Sequence, residues 1–463
     1  MNSITLPIGS ISVIDKIEKD FGLISGIFEN AGGKSKNFFG TAKLLLCNRI
    51  EDTVSVHQIM PTSPKEKFEL LGIKREVSER SLYRTIQKIG VMFPVFLDRY
   101  QDIIKKHGVV DKTQIEDFSS SYFEGKRAEF AMYGYSRDHR PDKKQITWGI
   151  STGINGIPTA LTIQKGNVQD KIHMREMLRV CFKILDKGSL LMFDCGANTP
   201  KVKEMITEKD MNYLTLKPKK VGTYRRHIKD FEKTCVKFKI DDQEYLAMAK
   251  PSEREGEFLY IFFSKELCKD QLWKKDSKFK KRMEKGDKLI KKAKKHNAVQ
   301  IFPSKEGWIG LYPEIQQTLV DIKNPYISGI EGFFILESSL DTTTEKILSL
   351  YKQRDVAEKL IRNMKEGGEL RPIRHWNKYA IIGALFICFL ATALINLTEK
   401  LCENPDVKNF KLLKKYLGNL TLTVIYPENG FRIRVVSNLS PPIHAIFGDF
   451  PLRYGDKNLN LRW

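Results

Sequence analysis

Nineteen consecutive residues, Tyr379 to Leu397 (YAIIGALFICFLATALINL), are almost free of polar groups. A helix of that length runs about 28 Å, enough to cross a bilayer or to pass through the middle of a multi-layer domain. Its flanks, Lys378 and Glu399-Lys400, are compatible with either outcome. Two features favour the interior: the stretch has no second of its kind, and it follows closely on a helix with a charged face. The expectation is a buried core helix, with a membrane anchor as the alternative. The remaining fold must then wrap this helix on all sides. At 463 residues and 41% hydrophobic, the chain is long enough for two to four domains, and wholesale disorder is excluded.

Charge narrows the function. Lys plus Arg number 78 against 56 Asp plus Glu, a formal net charge of +22. Such a field attracts polyanions. Nucleic acid is the first partner to expect and an anionic membrane surface the second. The seven cysteines (Cys47, Cys181, Cys195, Cys235, Cys268, Cys388 and Cys402) are odd in number and form no CxxC pair. That argues against a disulfide framework and against a zinc site. The opening residues, Met1-Asn-Ser-Ile-Thr-Leu, lack the basic stretch and apolar core of a signal peptide, so a cytoplasmic, nucleoid-associated protein is expected.

Five segments differ in pattern. Residues 1–108 read as mostly helical. Within them Ser78 is a candidate N-cap and Gly90 a candidate stop for a helix that turns Val77, Leu82, Ile86 and Ile89 inward. Arg80, Arg84, Gln87 and Lys88 would face out, as in the recognition helix of a helix-turn-helix; the alternative is an ordinary amphipathic helix. Residues 109–213 form an α/β pattern. Gln114–Ser119, Gln145–Ile150 and Ala160–Ile163 alternate as strands, Asp170–Leu185 has helical periodicity, and Ser189–Phe193 is a continuous apolar run suited to a buried strand. Residues 214–326 carry short β-like runs (Cys235–Ile240, Phe258–Phe263) before a basic stretch, Lys265–Lys295, with fourteen Lys or Arg against five acids. This reads as a surface for the DNA backbone or as a solubilising helix. Residues 327–400 return to α/β with Gly332–Leu336, a helix from Thr342 to Lys365, and the apolar run. Residues 401–463 mix a basic helix with a β-like Leu420–Ile425. No internal repeat is evident.

On the helix ending at Lys365, Tyr351, Arg354, Glu358 and Lys365 fall on one stripe, opposite Val356, Ala357, Leu360 and Met364. A carboxylate, two cations and a phenol presented together suit work on a phosphate backbone; a solvated amphipathic helix would look similar. Asp194 ends the buried strand and sits where sites form in α/β folds. Asp117 lies in the first strand of the same segment. If the strands are neighbours, Asp117, Asp194 and Glu358 form a three-carboxylate cluster. Such a cluster needs a neutralising cation, and hard oxygen donors favour Mg²⁺ or Mn²⁺. Two such ions about 4 Å apart activate a hydroxyl nucleophile and stabilise the leaving oxygen in phosphodiester chemistry.

The wording around these residues resembles a known family. Tyr351-x2-Arg354-x3-Glu358-x6-Lys365 is similar to the YREK signature of DDE transposases of bacterial and archaeal insertion sequences, the insertion-sequence-four-like group. Asp117-Phe-Ser-Ser-Ser-Tyr-Phe-Glu-Gly125 resembles the family's first-aspartate segment, and Asp194-x-Gly196 its second. Gly134-Tyr-Ser-Arg-Asp-His-Arg-Pro-Asp-Lys-Lys-Gln145, Gly166-Asn167-x-x-Asp170 and Arg371-Pro-Ile-Arg-His-Trp376 continue the likeness in order. Asp355-Val356 departs from it, where many relatives have a tryptophan. The resemblance implies an α/β, RNase H-like catalytic core interrupted by a β-rich insertion, after a helical N-terminal DNA-binding region. It assigns Asp117, Asp194 and Glu358 to metal and catalysis, with Mg²⁺ or Mn²⁺ as two ions. Tyr351, Arg354 and Lys365 would contact DNA, while Arg80, Arg84 and Lys88 are expected to do so from the helix pattern described above. The partners would be double-stranded DNA, both terminal inverted repeats and target, and a second copy in a homodimeric synaptic complex; no membrane is expected. The activity implied is strand cleavage at the element's ends and strand transfer by cut-and-paste. A nuclease without strand transfer and a decayed DNA-binding protein are the alternatives. Trp308 is the aromatic in the insertion that a flipped base would stack on.

Overall fold

The structure is a computed structural model, and it describes the chain apart from residues 1, 32–36, 52, 75–76, 126, 296–300, 305–306, 311–323, 369, 402–409, 429 and 457–463. The chain divides into two compact units, Met1–Asn212 with Gln353–Trp463, and Tyr213–Lys352.

Four neighbouring sheet strands lie in the first unit: β1 (Thr113–Tyr122), β2 (Gln145–Gly153), β3 (Pro158–Lys165) and β4 (Leu190–Phe193). Their order is β3-β2-β1-β4. The first three are antiparallel and β4 runs parallel to β1, an α/β arrangement consistent with an RNase H-like core. Every residue of β2 is buried, which requires cover on both faces. Successive side chains of β1 alternate between those faces. Phe118 meets His173 on helix α2 (Asp170–Cys181) with ring centroids 4.8 Å apart, and Glu116 meets Cys181 of the same helix. Asp117 therefore points the other way, towards helix α3 (Asp355–Arg362), which packs on β1 and β2.

The apolar run is helix α4 (Lys378–Leu401). It is long and apolar enough to cross a membrane, yet 83% of its most apolar window is buried inside the unit. Tyr100 caps its packing on β3, with its ring edge-on to Phe389 at 5.3 Å and its hydroxyl donating to the Pro158 carbonyl at 2.5 Å. Asn396 donates to the Gly156 carbonyl at 2.6 Å. Helix α1 (Glu79–Val91), with Ser78 as its N-cap accepting from the Ser81 amide, lies across α4. Gly90 does not stop this helix; it lets the two backbones touch. A Cβ on Gly90 would stand 1.7 Å from the Tyr379 carbonyl oxygen, and one on Gly383 would stand 1.9 Å from that of Ile86. Leu82, Ile86 and Ile89 share one core with Trp148 and Ile150 of the sheet and with Leu390 of α4.

One other expectation needs correction. The helix before Glu79–Val91 is Lys65–Leu70, and residues 71–78 between them far exceed the turn of about three to four residues in a helix-turn-helix. The amphipathic alternative is the one seen. The N-terminal region also begins with a strand, Asn2–Pro7, paired antiparallel with Thr421–Tyr426, which in turn pairs with Ile433–Ser437.

The second unit holds the strands Asn212–Leu216, Phe333–Ser338, Phe258–Ser264, Gln243–Pro251 and Val236–Ile240 in that order, all antiparallel. Tyr224, Phe231, Leu259, Ile261, Ile330 and Ile335 form its core. The basic stretch is one helix, Lys265–Lys295. In it Lys275 pairs with buried Glu331 at 2.5 Å and Lys278 lies 3.9 Å from the Tyr326 ring centre. Trp308 stands on a hairpin strand, Gly307–Gly310, opposite Pro303.

Candidate active site

The parallel register between β1 and β4 brings two carboxylates together. Glu116 stands opposite Phe193, so Asp117 and Asp194 are the next cross-strand neighbours. Asp194 leaves the end of β4 and is exposed; its Oδ1 accepts from the Cys195 amide at 2.7 Å. Asp117 is partly buried, and its Oδ1 accepts from the Phe118 amide at 2.9 Å. Glu358 lies in the first turn of α3, exposed, while Ala357 and Leu360 anchor that helix inward. A carboxylate in the first turn is also favoured by the helix dipole.

Electrostatics ties the three together. Burial pushes the Asp117 carboxyl up to about 6, and the Glu358 and Asp194 carboxylates add to the rise. The Arg354 guanidinium and the Phe118 amide oppose it. Arg354 is largely enclosed, its side chain 14% exposed, and its Nη1 lies 3.5 Å from Asp194 Oδ1. It forms the N-cap of α3, its carbonyl accepting from the amides of Ala357 at 3.1 Å and Glu358 at 3.4 Å.

The donor set fits a hard divalent cation: three carboxylates, one raised by its neighbours, with open solvent beside Asp194 and Glu358. Among the described residues, however, no group of three His, Cys, Asp or Glu side chains stands close enough together to hold an ion. The Arg354 cation interacts with two of the three, Asp194 and Asp117.

The charged stripe is not one helix, which corrects the sequence expectation. Thr344–Lys352 ends before Arg354, α3 follows, and residues Asn363–Gly367 form a π-turn. Tyr351 belongs to the second unit, on the last turn of Thr344–Lys352. Lys365 is turned inward by the wider π-turn. It is 8% exposed and its Nζ donates at 2.7 Å to Asp138, itself 1% exposed. Arg371 Nη1 donates to the same Asp138 Oδ1 at 3.1 Å. The role of Asp138 and Arg371 was not read from the sequence; their positions in the Gly134–Gln145 and Arg371–Trp376 motifs were the only pointers. Arg80 and Arg84 are exposed on Glu79–Val91, whereas Lys88 is half-buried, 5.1 Å from the centre of the Phe38 ring.

The family model of the transposase DDE domain matches residues 104–394, which include β1 to β4, α3 and most of α4. Among solved structures, the cryo-EM structure of a piggyBac transposase synaptic complex with hairpin DNA aligns over 89% of this chain and 78% of that chain, at 10% identity and a TM-score of 0.40. No curated protein matches the sequence. The match over 104–394 covers more than half of the chain, and the protein belongs to the DDE transposase family.

Proposed function

We propose that this transposase, of the insertion-sequence-four-like group, carries out cut-and-paste transposition with Asp117, Asp194 and Glu358 as its catalytic residues. The observation that supports the assignment is the parallel register of β1 and β4, in which Asp117 and Asp194 each come one residue after the Glu116–Phe193 pair, with α3, the helix that bears Glu358, packed on β1. Mg²⁺ or Mn²⁺ held by the three acids would supply charge neutralisation and an activated hydroxyl nucleophile. The chain's own residues set the geometry. The middle of β1 and the end of β4 would hold Asp117 and Asp194, and α3 would bring Glu358 from the layer packed on β1. Arg354, at the mouth of the site, is placed to meet a phosphate once it leaves Asp194.

In this reading the substrate is double-stranded DNA bearing terminal inverted repeats. A strand is hydrolysed at each end, and the freed 3′-hydroxyl attacks target DNA. The basic helix Lys265–Lys295 and the face carrying Arg80 and Arg84 would hold the backbone. Tyr351 and Lys88 would add contacts, and two copies would act together in the synaptic complex.

The test uses the full chain with DNA carrying the repeats that flank its coding region. Asp117→Ala, Asp194→Ala and Glu358→Ala should each abolish cleavage while end binding persists. Cleavage by Asp194→Ala at the parent rate would sink the assignment. Supplying pre-cut ends and scoring joined products separates a transposase from a nuclease that stops at cleavage.

A further inference from the structure

The three elements that bear the carboxylates, β1, the end of β4 and α3, are joined at one dipeptide, Arg137-Asp138, in the loop between β1 and β2. The Arg137 amide donates to Ser120 Oγ at 3.0 Å, and Ser120 stands further along β1 from Asp117. The Arg137 guanidinium donates through Nη2 to both oxygens of Asp170, at 2.5 and 2.6 Å. Asp170 opens α2 and lies against Gly196, where a Cβ would stand 2.9 Å from Asp170 Oδ2. Gly196 belongs to the turn that follows Asp194. Asp138 reaches the third element: its Oδ1 accepts from Lys365, in the π-turn that continues α3 beyond Glu358, and from Arg371.

We propose that Arg137 and Asp138 are positioning residues for the catalytic carboxylates, and that Lys365 completes this buried staple instead of contacting a DNA phosphate. The inference rests on the assignment of Asp117, Asp194 and Glu358 made above. Lys365 and Asp138 are 8% and 1% exposed, so a phosphate would reach the ammonium only after the pair is broken and Asp138 left buried without it. A pair so enclosed is instead suited to fixing where two elements meet. Supporting residues of this kind matter to catalysis because a displacement of about 1 Å at a reacting group costs on the order of a hundredfold in rate. Residues that orient metal ligands typically alter metal affinity or activity by about 10- to 100-fold.

The test takes the full chain, DNA carrying the element's ends, and the variants Lys365→Met, Asp138→Asn and their double. Three quantities are read: kcat for cleavage at saturating DNA, Kd for the same DNA without metal, and Mn²⁺ binding by electron paramagnetic resonance without DNA. Each single variant should lower kcat about 10- to 100-fold, weaken Mn²⁺ binding, and leave the DNA Kd and its salt dependence unchanged. The double variant should be no worse than the poorer single. Gly196→Ala keeps every charge but crowds Asp170, and should show the same split between kcat and Kd in a protein whose thermal unfolding is intact. The inference is overturned if Lys365→Met raises the DNA Kd and lowers the salt slope by about one while kcat is kept, the mark of a phosphate contact. Parent-level kcat and Mn²⁺ binding in all variants would overturn it while leaving the catalytic assignment standing. A parent protein that neither cleaves nor binds Mn²⁺ removes the assignment itself.

Discussion

Arg354 Nη1 lies 3.5 Å from Asp194 Oδ1, and the same guanidinium lowers the carboxyl of Asp117 against the rise caused by burial. One cation thus serves two of the three candidate metal ligands. An arginine and a divalent ion compete for the same lone pairs, so metal binding must displace or share Arg354. Asp194 is 51% exposed, and solvent screens the pair to about 1 kcal/mol, a factor of roughly five in affinity. Arg354→Gln is therefore expected to bind Mn²⁺ about fivefold more tightly than the parent in a DNA-free titration. It should nevertheless lose cleavage, because the freed arginine has a phosphate to meet. Weaker Mn²⁺ binding in the variant would show that Arg354 organises the acids instead of competing for them.

A second expectation concerns the crossing of Glu79–Val91 with α4. The backbones approach so closely that a Cβ on Gly90 would lie 1.7 Å from a carbonyl oxygen. Gly90→Ala and Gly383→Ala should each force the helices apart and destabilise the first unit by about 2 kcal/mol, the cost typical of overpacking. Urea denaturation followed by far-UV circular dichroism measures this. Because alanine favours a helix interior over glycine, stabilisation by either change would contradict the tight crossing.

These glycines show where sequence reading falls short. Periodicity places Leu82, Ile86 and Ile89 inside and Arg80 and Arg84 outside, as found, because burial of one helical face is a local pattern. The same pattern offers two uses for Gly90, chain reversal or close contact, and only the partner helix decides between them. The apolar run is legible as a helix, while its interior place depends on the layers around it. At the site, the positions of Asp117 within β1 and of Asp194 after β4 are legible because alternation and a continuous apolar run are local patterns. The stripe from Tyr351 to Lys365 does not survive, since a break at Gln353–Arg354 and a π-turn after Arg362 alter the angular spacing. Ideal periodicity carries no information about either interruption. Asp138 is invisible for another reason: a loop acid reveals its burial only through partners distant in sequence.

The exposed face of Glu79–Val91 leads to a third expectation. Arg80 and Arg84 are exposed and one turn apart on the same side of the helix, as two successive phosphate contacts would require. The double variant Arg80→Ala, Arg84→Ala should weaken binding to repeat DNA and reduce the slope of log K against log salt by about two. Cleavage at saturating DNA should be retained. An unchanged salt slope, measured by fluorescence anisotropy over a range of salt concentrations, would remove this helix from the DNA-binding surface.

The last expectation is one of pH. Burial near the end of α4 pushes the Glu399 carboxyl up to about 7, and its Oε1 is enclosed with no hydrogen-bond partner. A carboxyl whose folded pKa lies above its unfolded value binds its proton more tightly in the folded state. Its contribution to stability is therefore complete below the ordinary value of 4.5 and is lost as pH rises towards 7. The slope is at most about 1.4 kcal/mol per pH unit in that window. Glu399→Gln mimics the protonated acid and cannot ionise. It should match the parent at pH 4.5 and become progressively more stable than it up to pH 7, with the difference levelling above. Denaturant titrations of both proteins at a series of pH values test this, and a difference constant across the window would show that Glu399 reaches water in the folded chain.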